Sequence, residues 1–185
     1  QSNEENKIHI FDDIIDLNYQ EQIKTTLLES DFQWYYIHDV TNPYVNKQQR
    51  PGFQHNLVLE YGQENSPHHI LFKNLIKICC AKFNRQSVEV IKGRCFLQLP
   101  LNLKNDDVDM PHTDTHHNHV VILYYVLDSD GDTIIYNEKT KSGNYTIKKR
   151  VTPKQGRVVI FDGGLFHTAE QPINSSRCIV NYNVN

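Results

Sequence analysis

The chain has 185 residues, of which 22% are charged and 38% hydrophobic, and these proportions are those of one soluble globular domain spanning residues 1–185. Its formal net charge of -3 argues against a dedicated nucleic-acid binder, which usually has a basic surface. No apolar run approaches the roughly 20 residues of a membrane span and no signal-peptide pattern opens the chain, so we expect a cytoplasmic, intracellular protein with no membrane partner.

Two helices and three strands are predicted in about residues 1–87, and we expect them to support the remainder of the domain. Ile8–Phe11 is predicted as a short strand, followed by Asp12-Asp13 as the cap of a helix over about Ile14–Glu29. Phe32–Ile37 is a predicted strand because it is rich in aromatic and β-branched residues. We expect half-buried packing of its aromatic side chains, with a substrate groove as the alternative: Trp34, Tyr35 and Tyr36.

A polar, turn-rich loop over Asn42–Phe53 follows and is one candidate lid. The next strand, Phe53–Tyr61, alternates apolar and polar residues. Pro67 then begins a helix predicted from His68 to about Phe83, because proline is favoured in the first helical turn. The apolar residues of its predicted buried stripe are Ile70, Leu71, Leu75, Ile76, Ile78 and Cys79.

The spacing of the four cysteines predicts free thiols rather than disulfide bonds or a zinc site. Cys79 and Cys80 are adjacent in sequence, and Cys95 and Cys178 are far apart. This spacing fits neither a zinc motif nor a disulfide framework. We therefore expect all four to be reduced.

The chain is β-rich from Val88 onward, and a second candidate lid, the acidic loop Asn102–Met110, interrupts it. Many short strands after two helices predict an α+β, mainly β fold. We expect a double-stranded β-helix (a cupin-like jelly roll) over about residues 88–185, with the N-terminal helices packed on one sheet. The predicted strands are Val88–Leu101, Val120–Leu127, Thr133–Glu138, Tyr145–Val151, Arg157–Asp162 and Cys178–Val184.

His112 and Asp114 lie two residues apart, just before the apolar run Val120–Val126. Residues two apart on an extended strand share a face, so this imidazole and carboxylate would point to one spot. A second histidine, His167, ends the segment Gly163-Gly-Leu-Phe-His167. Two histidines and one carboxylate with open positions are the ligand set of non-haem Fe(II) oxygenases, which predicts a metal site at these three residues.

The pattern His112-x-Asp114, His167 and Arg177 resembles the Fe(II)/2-oxoglutarate-dependent dioxygenases, in particular their prolyl 4-hydroxylase-like branch. Tyr124–Thr133 looks like the Tyr-Tyr-Leu-Asn and Gly-Gly-x-Thr segment of that branch, and Gly156–Asp162 looks like the strand before its distal histidine. The resemblance covers about residues 90–185. Small stand-alone oxygenases of the kind that bacteriophages encode are the most similar, which implies the host cytoplasm for a viral protein.

The resemblance implies Fe(II) as the metal, 2-oxoglutarate and O2 as co-substrates, and ascorbate as a supporting reductant. Arg177 matches the residue that binds the far carboxylate of 2-oxoglutarate, and Tyr125 the phenol on that same carboxylate. Thr133 and Gln98 match residues that line or face the co-substrate pocket. An anionic ligand also explains an arginine at the head of an apolar strand, because a buried guanidinium without a partner is unfavourable.

The implied function is hydroxylation of a substrate C–H bond with release of succinate and CO2, and a prolyl residue in a peptide or protein is the candidate substrate. Peptides, proteins and small molecules are favoured over nucleic acids as partners. Three alternatives stay open: an oxidative nucleic-acid demethylase, a non-enzymatic metal-binding jelly roll, and a zinc hydrolase using the same ligands. The last two offer no use for Arg177.

Several other polar residues have plainer interpretations. His116, His117 and His119 are interpreted as solvated loop residues or as support for the metal ligands. Asp162 is interpreted as a turn residue, and His68 and His69 as surface residues. A basic set on a predicted hairpin is interpreted as a solvated face, with an acidic or nucleic-acid substrate as the alternative: Lys139, Lys141, Lys148, Lys149, Arg150 and Lys154.

Overall fold

The computed structural model describes residues 7–29, 31–40, 50–82, 88–101 and 108–185. Within these ranges, none of the helices has the length and apolar character needed to cross a membrane. The helices and strands are β1 (His9–Asp12), α1 (Leu17–Leu28), β2 (Tyr35–Ile37), β3 (Gly52–Leu59), β4 (Gln63–Glu64), α2 (Lys73–Ala81), β5 (Val90–Gln98), β6 (Val120–Tyr125), β7 (Thr133–Tyr136), β8 (Ile147–Val151), β9 (Arg157–Asp162), β10 (His167–Ala169) and β11 (Arg177–Val184).

Two antiparallel sheets form the domain. The major sheet has the order β1-β9-β6-β11-β5-β3-β2, with β4 paired to β3, and the minor sheet has the order β10-β7-β8. Strands that are distant in sequence are neighbours in both sheets, as a double-stranded β-helix requires. The predicted α+β, mainly β jelly-roll fold is confirmed.

Strand β6 shows how the major sheet separates two cores. Its residues Val121, Leu123 and Tyr125 pack in the barrel interior with Ile135 and Val151 of the minor sheet. The alternate residues Ile122 and Tyr124 pack on the other side, in the core that also contains α1 and α2. Because side chains alternate along a strand, one strand serves both cores, and its adjacent tyrosines face opposite ways as predicted.

Helix α1 begins later than the sequence predicts. Asp16, rather than Asp12-Asp13, is its N-cap, and its side chain accepts a hydrogen bond from the backbone N–H of Tyr19 at 2.8 Å. Asp13 has a φ of 55°, a left-handed conformation that cannot continue into a helix. The helix therefore waits for the next residue able to cap it.

The second predicted helix is divided into a 3₁₀ segment, Pro67–Phe72, and the α-helix α2. A 3₁₀ turn has about 3.0 residues rather than 3.6, so the predicted stripe changes phase at its start. Ile70 is consequently 74% exposed, whereas Leu75 and Ile76 are buried. The predicted end, Phe83, lies outside the described residues, as do residues 42–49 and 102–107 of the two candidate lids.

Two predictions about the burial of ring side chains are wrong: one for the tyrosines of β2 and one for His69. Tyr35 and Tyr36 are 58% and 65% exposed, because β2 is an edge strand; among that aromatic group Trp34 is partly buried and donates its indole N–H to the carbonyl of Leu27 at 2.9 Å. His69 is buried rather than on the surface, and its Nδ1 lies 2.7 Å from the Tyr182 hydroxyl. A buried imidazole keeps such a partner because an unpaired polar group is unfavourable there.

Strand predictions in the second half are close to the structure, and β9 matches its predicted bounds, Arg157–Asp162. Strand β10 has three residues, too few for a periodic signal, and was not predicted. All four cysteines are buried and lie outside any disulfide in the described part of the chain, which agrees with the predicted thiols. Burial raises the pKa of Cys178 to about 12, so this thiol stays protonated and unreactive.

Candidate metal and anion sites

The three predicted metal ligands meet at one end of the barrel interior. The ligand atoms of His112, Asp114 and His167 all lie within 4.8 Å of one another. Asp114 Oδ1 is 3.4 Å from Nε2 of His112 and 3.3 Å from Nε2 of His167. Reciprocal backbone hydrogen bonds of 3.0 Å join the two histidines, although they are distant in sequence. One carboxylate oxygen and two imidazole nitrogens therefore converge as a three-ligand metal site requires.

The backbone orients both imidazoles. Nδ1 of His112 lies 3.0 Å from the carbonyl oxygen of Met110, and Nδ1 of His167 lies 3.2 Å from that of Leu165. A carbonyl only accepts hydrogen bonds, so each Nδ1 carries a proton. In the neutral ring this leaves the Nε2 lone pair directed at the site, which is the tautomer that binds a metal ion.

Asp114 is held by amide donors that sequence reasoning missed. Its Oδ2 accepts hydrogen bonds from the side-chain amides of Asn181, at 3.1 Å, and Asn183, at 2.9 Å, both on β11. A guanidinium nitrogen of Arg94 lies 3.6 Å from Oδ1. The side chain of Asp114 is only 1% exposed. The two amide hydrogen bonds use Oδ2 for positioning and leave Oδ1 directed at the two imidazoles.

The electrostatics of this cluster favour an ionised carboxylate. Burial acts to raise the pKa of Asp114, but the charge of His167 and hydrogen bonds from both imidazoles outweigh it and hold the pKa well below its usual range. Burial acts to lower the pKa of His112, but its hydrogen bond and charge interaction with Asp114 raise it overall. Without a metal ion, a proton stabilises the same place that a cation would occupy.

The predicted co-substrate residues gather around Arg177, the first residue of β11. Its guanidinium is buried and donates to the carbonyl of Gly131 at 3.0 Å, to Thr133 Oγ1 at 2.8 Å and to Gln98 Oε1 at 3.3 Å. The Tyr125 hydroxyl donates to the same Thr133 oxygen at 2.6 Å. All four predicted residues therefore lie together, and the three acceptors of this guanidinium are uncharged.

Burial is the main influence on the pKa of each of the two titratable groups of this pocket, Tyr125 and Arg177. It raises the pKa of Tyr125 to about 12, although the charge of Arg177 and the hydrogen bond to Thr133 oppose it. It lowers the pKa of Arg177, because charge is unfavourable in a dry interior. Tyr125 is therefore a neutral donor, and an anion would stabilise the charged guanidinium.

An ion pair between Arg50 and Asp109 borders the pocket and was not predicted. Arg50 Nη1 lies 2.6 Å from Asp109 Oδ1, and both side chains are buried. Asp109 Oδ2 accepts from Gln98 Nε2 at 3.3 Å. No periodic pattern marks a carboxylate in a loop, so the sequence does not predict this ion pair. Asn181 and Asn183, by contrast, alternate with apolar residues along β11, and that alternation is a signal that the sequence does contain.

The remaining histidines near the motif lie outside the three-ligand cluster. His116 and His117 are exposed. His119 is buried, its Nδ1 lies 2.7 Å from the carbonyl oxygen of His117, and its ring packs so closely on Gly163 that a Cβ there would be 2.2 Å from Nε2. Its role is thus packing under the turn that precedes His167.

Asp162 was predicted as a turn residue, but it is the last residue of β9, and its side chain bonds to the turn that follows. It accepts from the backbone N–H of Gly164 at 2.8 Å and from Lys139 Nζ at 2.7 Å. Arg150, another member of the basic set, pairs with Glu170. These two cations thus have acidic partners on the protein itself.

Comparison with known proteins shows similarity in structure rather than in sequence. Neither a family model nor a curated sequence matches the chain. Many solved structures resemble it, and three of them are compared below. A 2OG-Fe(II) oxygenase family oxidoreductase from Burkholderia pseudomallei has a TM-score of 0.67 at 12% identity, over 96% of this chain and 84% of its own. The viral collagen prolyl hydroxylase of Paramecium Bursaria Chlorella virus-1, solved as a 2OG complex, has a TM-score of 0.59 at 11% identity, over 96% and 94%.

The third, HygX from Streptomyces hygroscopicus, solved with nickel, 2-oxoglutarate and hygromycin B bound, has a TM-score of 0.64 at 14% identity, over 98% of this chain and 83% of its own. Two of these neighbours are associated with different kinds of molecule: one is named a collagen prolyl hydroxylase, and the other holds hygromycin B. What they have in common with this chain is the arrangement of strands. The chain has the double-stranded β-helix fold of the 2-oxoglutarate- and Fe(II)-dependent oxygenases.

Proposed function

We propose that this protein is an Fe(II)- and 2-oxoglutarate-dependent dioxygenase that hydroxylates a C–H bond of its substrate. His112, Asp114 and His167 would hold the metal ion, and Arg177 would bind the far carboxylate of 2-oxoglutarate. The observation that carries this proposal is that one barrel interior contains both a convergent His-Asp-His cluster and a buried guanidinium with only uncharged acceptors around it. A dicarboxylate that chelates a metal ion satisfies both.

The residues suit this role by their chemistry. When bound, Fe(II) with 2-oxoglutarate and O2 supplies the oxidation of a C–H bond, with succinate and CO2 as products. Asp114 would contribute one negative charge through Oδ1 while the amides on β11 hold Oδ2 in place. His112 and His167 would contribute neutral Nε2 atoms, because their Nδ1 protons are engaged by carbonyl oxygens.

The anion pocket would orient the co-substrate. Arg177 would donate to the far carboxylate, and the neutral Tyr125 hydroxyl could turn from Thr133 to donate to it as well. Gln98 would face the bound co-substrate beside Arg177. Neither a metal-storage jelly roll nor a zinc hydrolase has a use for a buried anion pocket next to the metal site. The presence of this pocket therefore favours the oxygenase.

The substrate class is the finer part of the proposal. A prolyl residue in a peptide is the first substrate to test, because the motif residues resemble those of the prolyl 4-hydroxylase-like branch and one structural neighbour is named a collagen prolyl hydroxylase. A small molecule is the second, since another neighbour holds hygromycin B. The net charge of -3 disfavours an oligonucleotide substrate.

Anaerobic titration of the Fe(II)-loaded protein with 2-oxoglutarate tests the proposal. We expect the weak visible charge-transfer band of the metal chelate to rise and to saturate at one equivalent of 2-oxoglutarate per bound iron. Addition of O2 should then release succinate, slowly without a substrate and faster with the right one. Bound Fe(II) with no such band would remove the oxygenase function and favour the hydrolase or metal-binding alternative.

A further inference from the structure

Two cations of β5, Lys92 and Arg94, lie on the interior face of the major sheet at the metal end. Arg94 is paired with Asn181 of β11 in the sheet register, and Lys92 with Asn183. These are the two asparagines that hold Asp114. Directly paired residues of an antiparallel sheet point to the same side. The two cations are therefore beside the metal ligands, and the residues proposed to bind 2-oxoglutarate do not include them.

Arg94 has hydrogen-bonding capacity that the protein leaves unused. Its guanidinium carbon lies 5.0 Å from the ring centroid of Phe96, and one terminal nitrogen is 3.6 Å from Asp114 Oδ1, a charge contact too long for a hydrogen bond. Its Nε is buried and has no hydrogen-bond partner within the described part of the chain. A buried donor of this kind is unfavourable unless a ligand supplies an acceptor.

Lys92 completes a small cluster with Glu60. Its Nζ lies 3.3 Å from Glu60 Oε1 and 3.5 Å from the backbone oxygen of Asp114, and its side chain is 18% exposed. Glu60 is 42% exposed, and the next residue, Tyr61, is 81% exposed with a φ of 66°. This edge of the cluster thus opens to solvent, beside a tyrosine held in a strained backbone conformation of the kind found at binding sites.

The charges in this cluster balance only in the absence of a metal ion. Lys92 and Arg94 are matched by Glu60 and Asp114. A divalent ion at the three ligands adds two positive charges, and a dianionic 2-oxoglutarate would bring one carboxylate to the metal and place the other on Arg177. One positive charge is then left at the solvent-facing end, in surroundings where burial strengthens electrostatic interactions.

We propose that Lys92 and Arg94 form an anion-binding site beside the metal position, and that it takes an acidic group, a carboxylate or a phosphate, of the primary substrate. The same chemistry could instead bind the metal-chelating carboxylate of 2-oxoglutarate, and the test separates the two sources. The inference rests on the proposed function, because the metal ion and co-substrate enter the charge balance. It assigns the protein an acidic substrate.

The test uses the Mn(II)-loaded protein and methylphosphonate as a probe anion, with paramagnetic relaxation of the phosphorus nucleus as the readout. We expect saturable binding near the metal in the wild type with 2-oxoglutarate present, and at least about tenfold weaker binding in both Lys92→Gln and Arg94→Gln, since each loses a charge-assisted hydrogen bond. Affinity for 2-oxoglutarate should change less than threefold in either variant. Arg157→Gln, which removes the same charge from a pair with Asp12, should match the wild type.

Metal affinity separates loss of the anion site from structural damage. Removing a cation beside the metal should leave Mn(II) affinity equal or higher, whereas a disturbed Asp114 would lower it. A fall in 2-oxoglutarate affinity with phosphonate binding unchanged would overturn the substrate assignment, and phosphonate binding unchanged in both variants would overturn the site. If Mn(II) binds but 2-oxoglutarate does not, the proposed function fails on its own, and phosphonate binding to the Mn(II) protein still tests the site.

Discussion

The two ends of the barrel interior each hold a buried charge, and they hold it in opposite ways. At the metal end, the Asp114 carboxylate accepts hydrogen bonds from Asn181 and Asn183 and faces two imidazoles. At the other end, the Arg177 guanidinium donates to three uncharged oxygens. The carboxylate is positioned by donors that leave one oxygen available, and the guanidinium is positioned by acceptors that carry no charge of their own.

This difference indicates what each end is built to bind. An ionised carboxylate and two neutral imidazoles favour a cation, whereas a guanidinium in a dry pocket favours an anion. Both ends depend on β11, which contributes Arg177 at its start and Asn181 and Asn183 further along the same face. One strand therefore sets the separation between the two sites, and we expect that a variant at one site leaves the other intact.

His167→Ala is expected to have the largest effect, because it removes one of the three proposed metal ligands. Metal affinity should fall by more than the roughly 10–100-fold that changes in supporting residues produce, and the charge-transfer band should vanish. Metal content after dialysis and anaerobic spectroscopy measure this. His116→Ala, a change of an exposed histidine in the same region, is the matched control and should leave both unchanged. Unaltered metal binding in His167→Ala would show that the metal lies elsewhere.

Arg177→Ala should next separate the two ends. We expect 2-oxoglutarate affinity to fall at least about 30-fold, since truncating one partner of a buried, hydrogen-bonded charge pair costs about 2–5 kcal/mol. Metal affinity should stay within about threefold of the wild type, because Arg177 contacts none of the metal ligands. Titration of the Fe(II) protein with 2-oxoglutarate gives the first value and competition with a chelator the second. Equal losses of both would break the division into two independent ends.

Arg177→Lys provides a check on geometry at the same position. It keeps the positive charge but loses the planar fork that donates to Gly131, Thr133 and Gln98 at once. Its affinity for 2-oxoglutarate should lie between those of the wild type and the alanine variant. A lysine variant as weak as alanine would mean that donor geometry outweighs charge at this end.

Asn183→Ala tests how far the metal end depends on the positioning of Asp114. The variant removes the 2.9 Å hydrogen bond to Oδ2 and leaves the one from Asn181, so metal affinity should fall about tenfold. Affinity for 2-oxoglutarate measured at saturating metal should be little changed. Asn137→Ala, which removes an amide bonded to Thr146 on the outside of the minor sheet, is the control. No loss in Asn183→Ala would show that Asn181 alone orients the carboxylate.

The smallest effect is expected outside the interior, at the ion pair between Asp12 of β1 and Arg157 of β9. The hydrogen bond from Arg157 is the main cause of the lowered pKa of Asp12. A carboxylate with a depressed folded-state pKa contributes stability above its unfolded pKa and loses it as the pH falls through the folded value. Because the pair is solvent-exposed, Asp12→Asn should destabilise the protein by less than about 1 kcal/mol at pH 7.

Urea unfolding of Asp12→Asn and the wild type at several pH values measures this difference. It should shrink as the pH falls below the ordinary carboxyl pKa of 3.8 and vanish once Asp12 is protonated. A difference that persists at low pH would assign the effect to packing of β1 instead. The small effect of Asp12→Asn and the large effect of Arg177→Ala could then no longer be attributed to the difference in burial alone.

Much of the fold follows from local patterns in the sequence. The run Arg157–Asp162 has four apolar, mostly β-branched residues at its centre, and it forms a strand with those bounds because the side chains on both faces of that centre are buried. Helix starts were predicted less well, since Asp12-Asp13 and Asp16 are all capable caps and the left-handed backbone at Asp13 decides between them. The exposure of Ile70 likewise depends on a 3₁₀ turn that a helical period does not predict.

The sequence by itself determined the residue types of the site, because the spacing of His112 and Asp114 and the turn before His167 are local features. Only the tertiary structure decided which residues surround them. Asn181 reaches Asp114, and Asp109 reaches Gln98, through strand pairing and loop contacts between segments far apart in the chain. The cations Lys92 and Arg94 lie beside the proposed metal ligands for the same reason: the register of β5 against β11 sets their neighbours, and no local pattern in the sequence reveals which residues pair across the two strands.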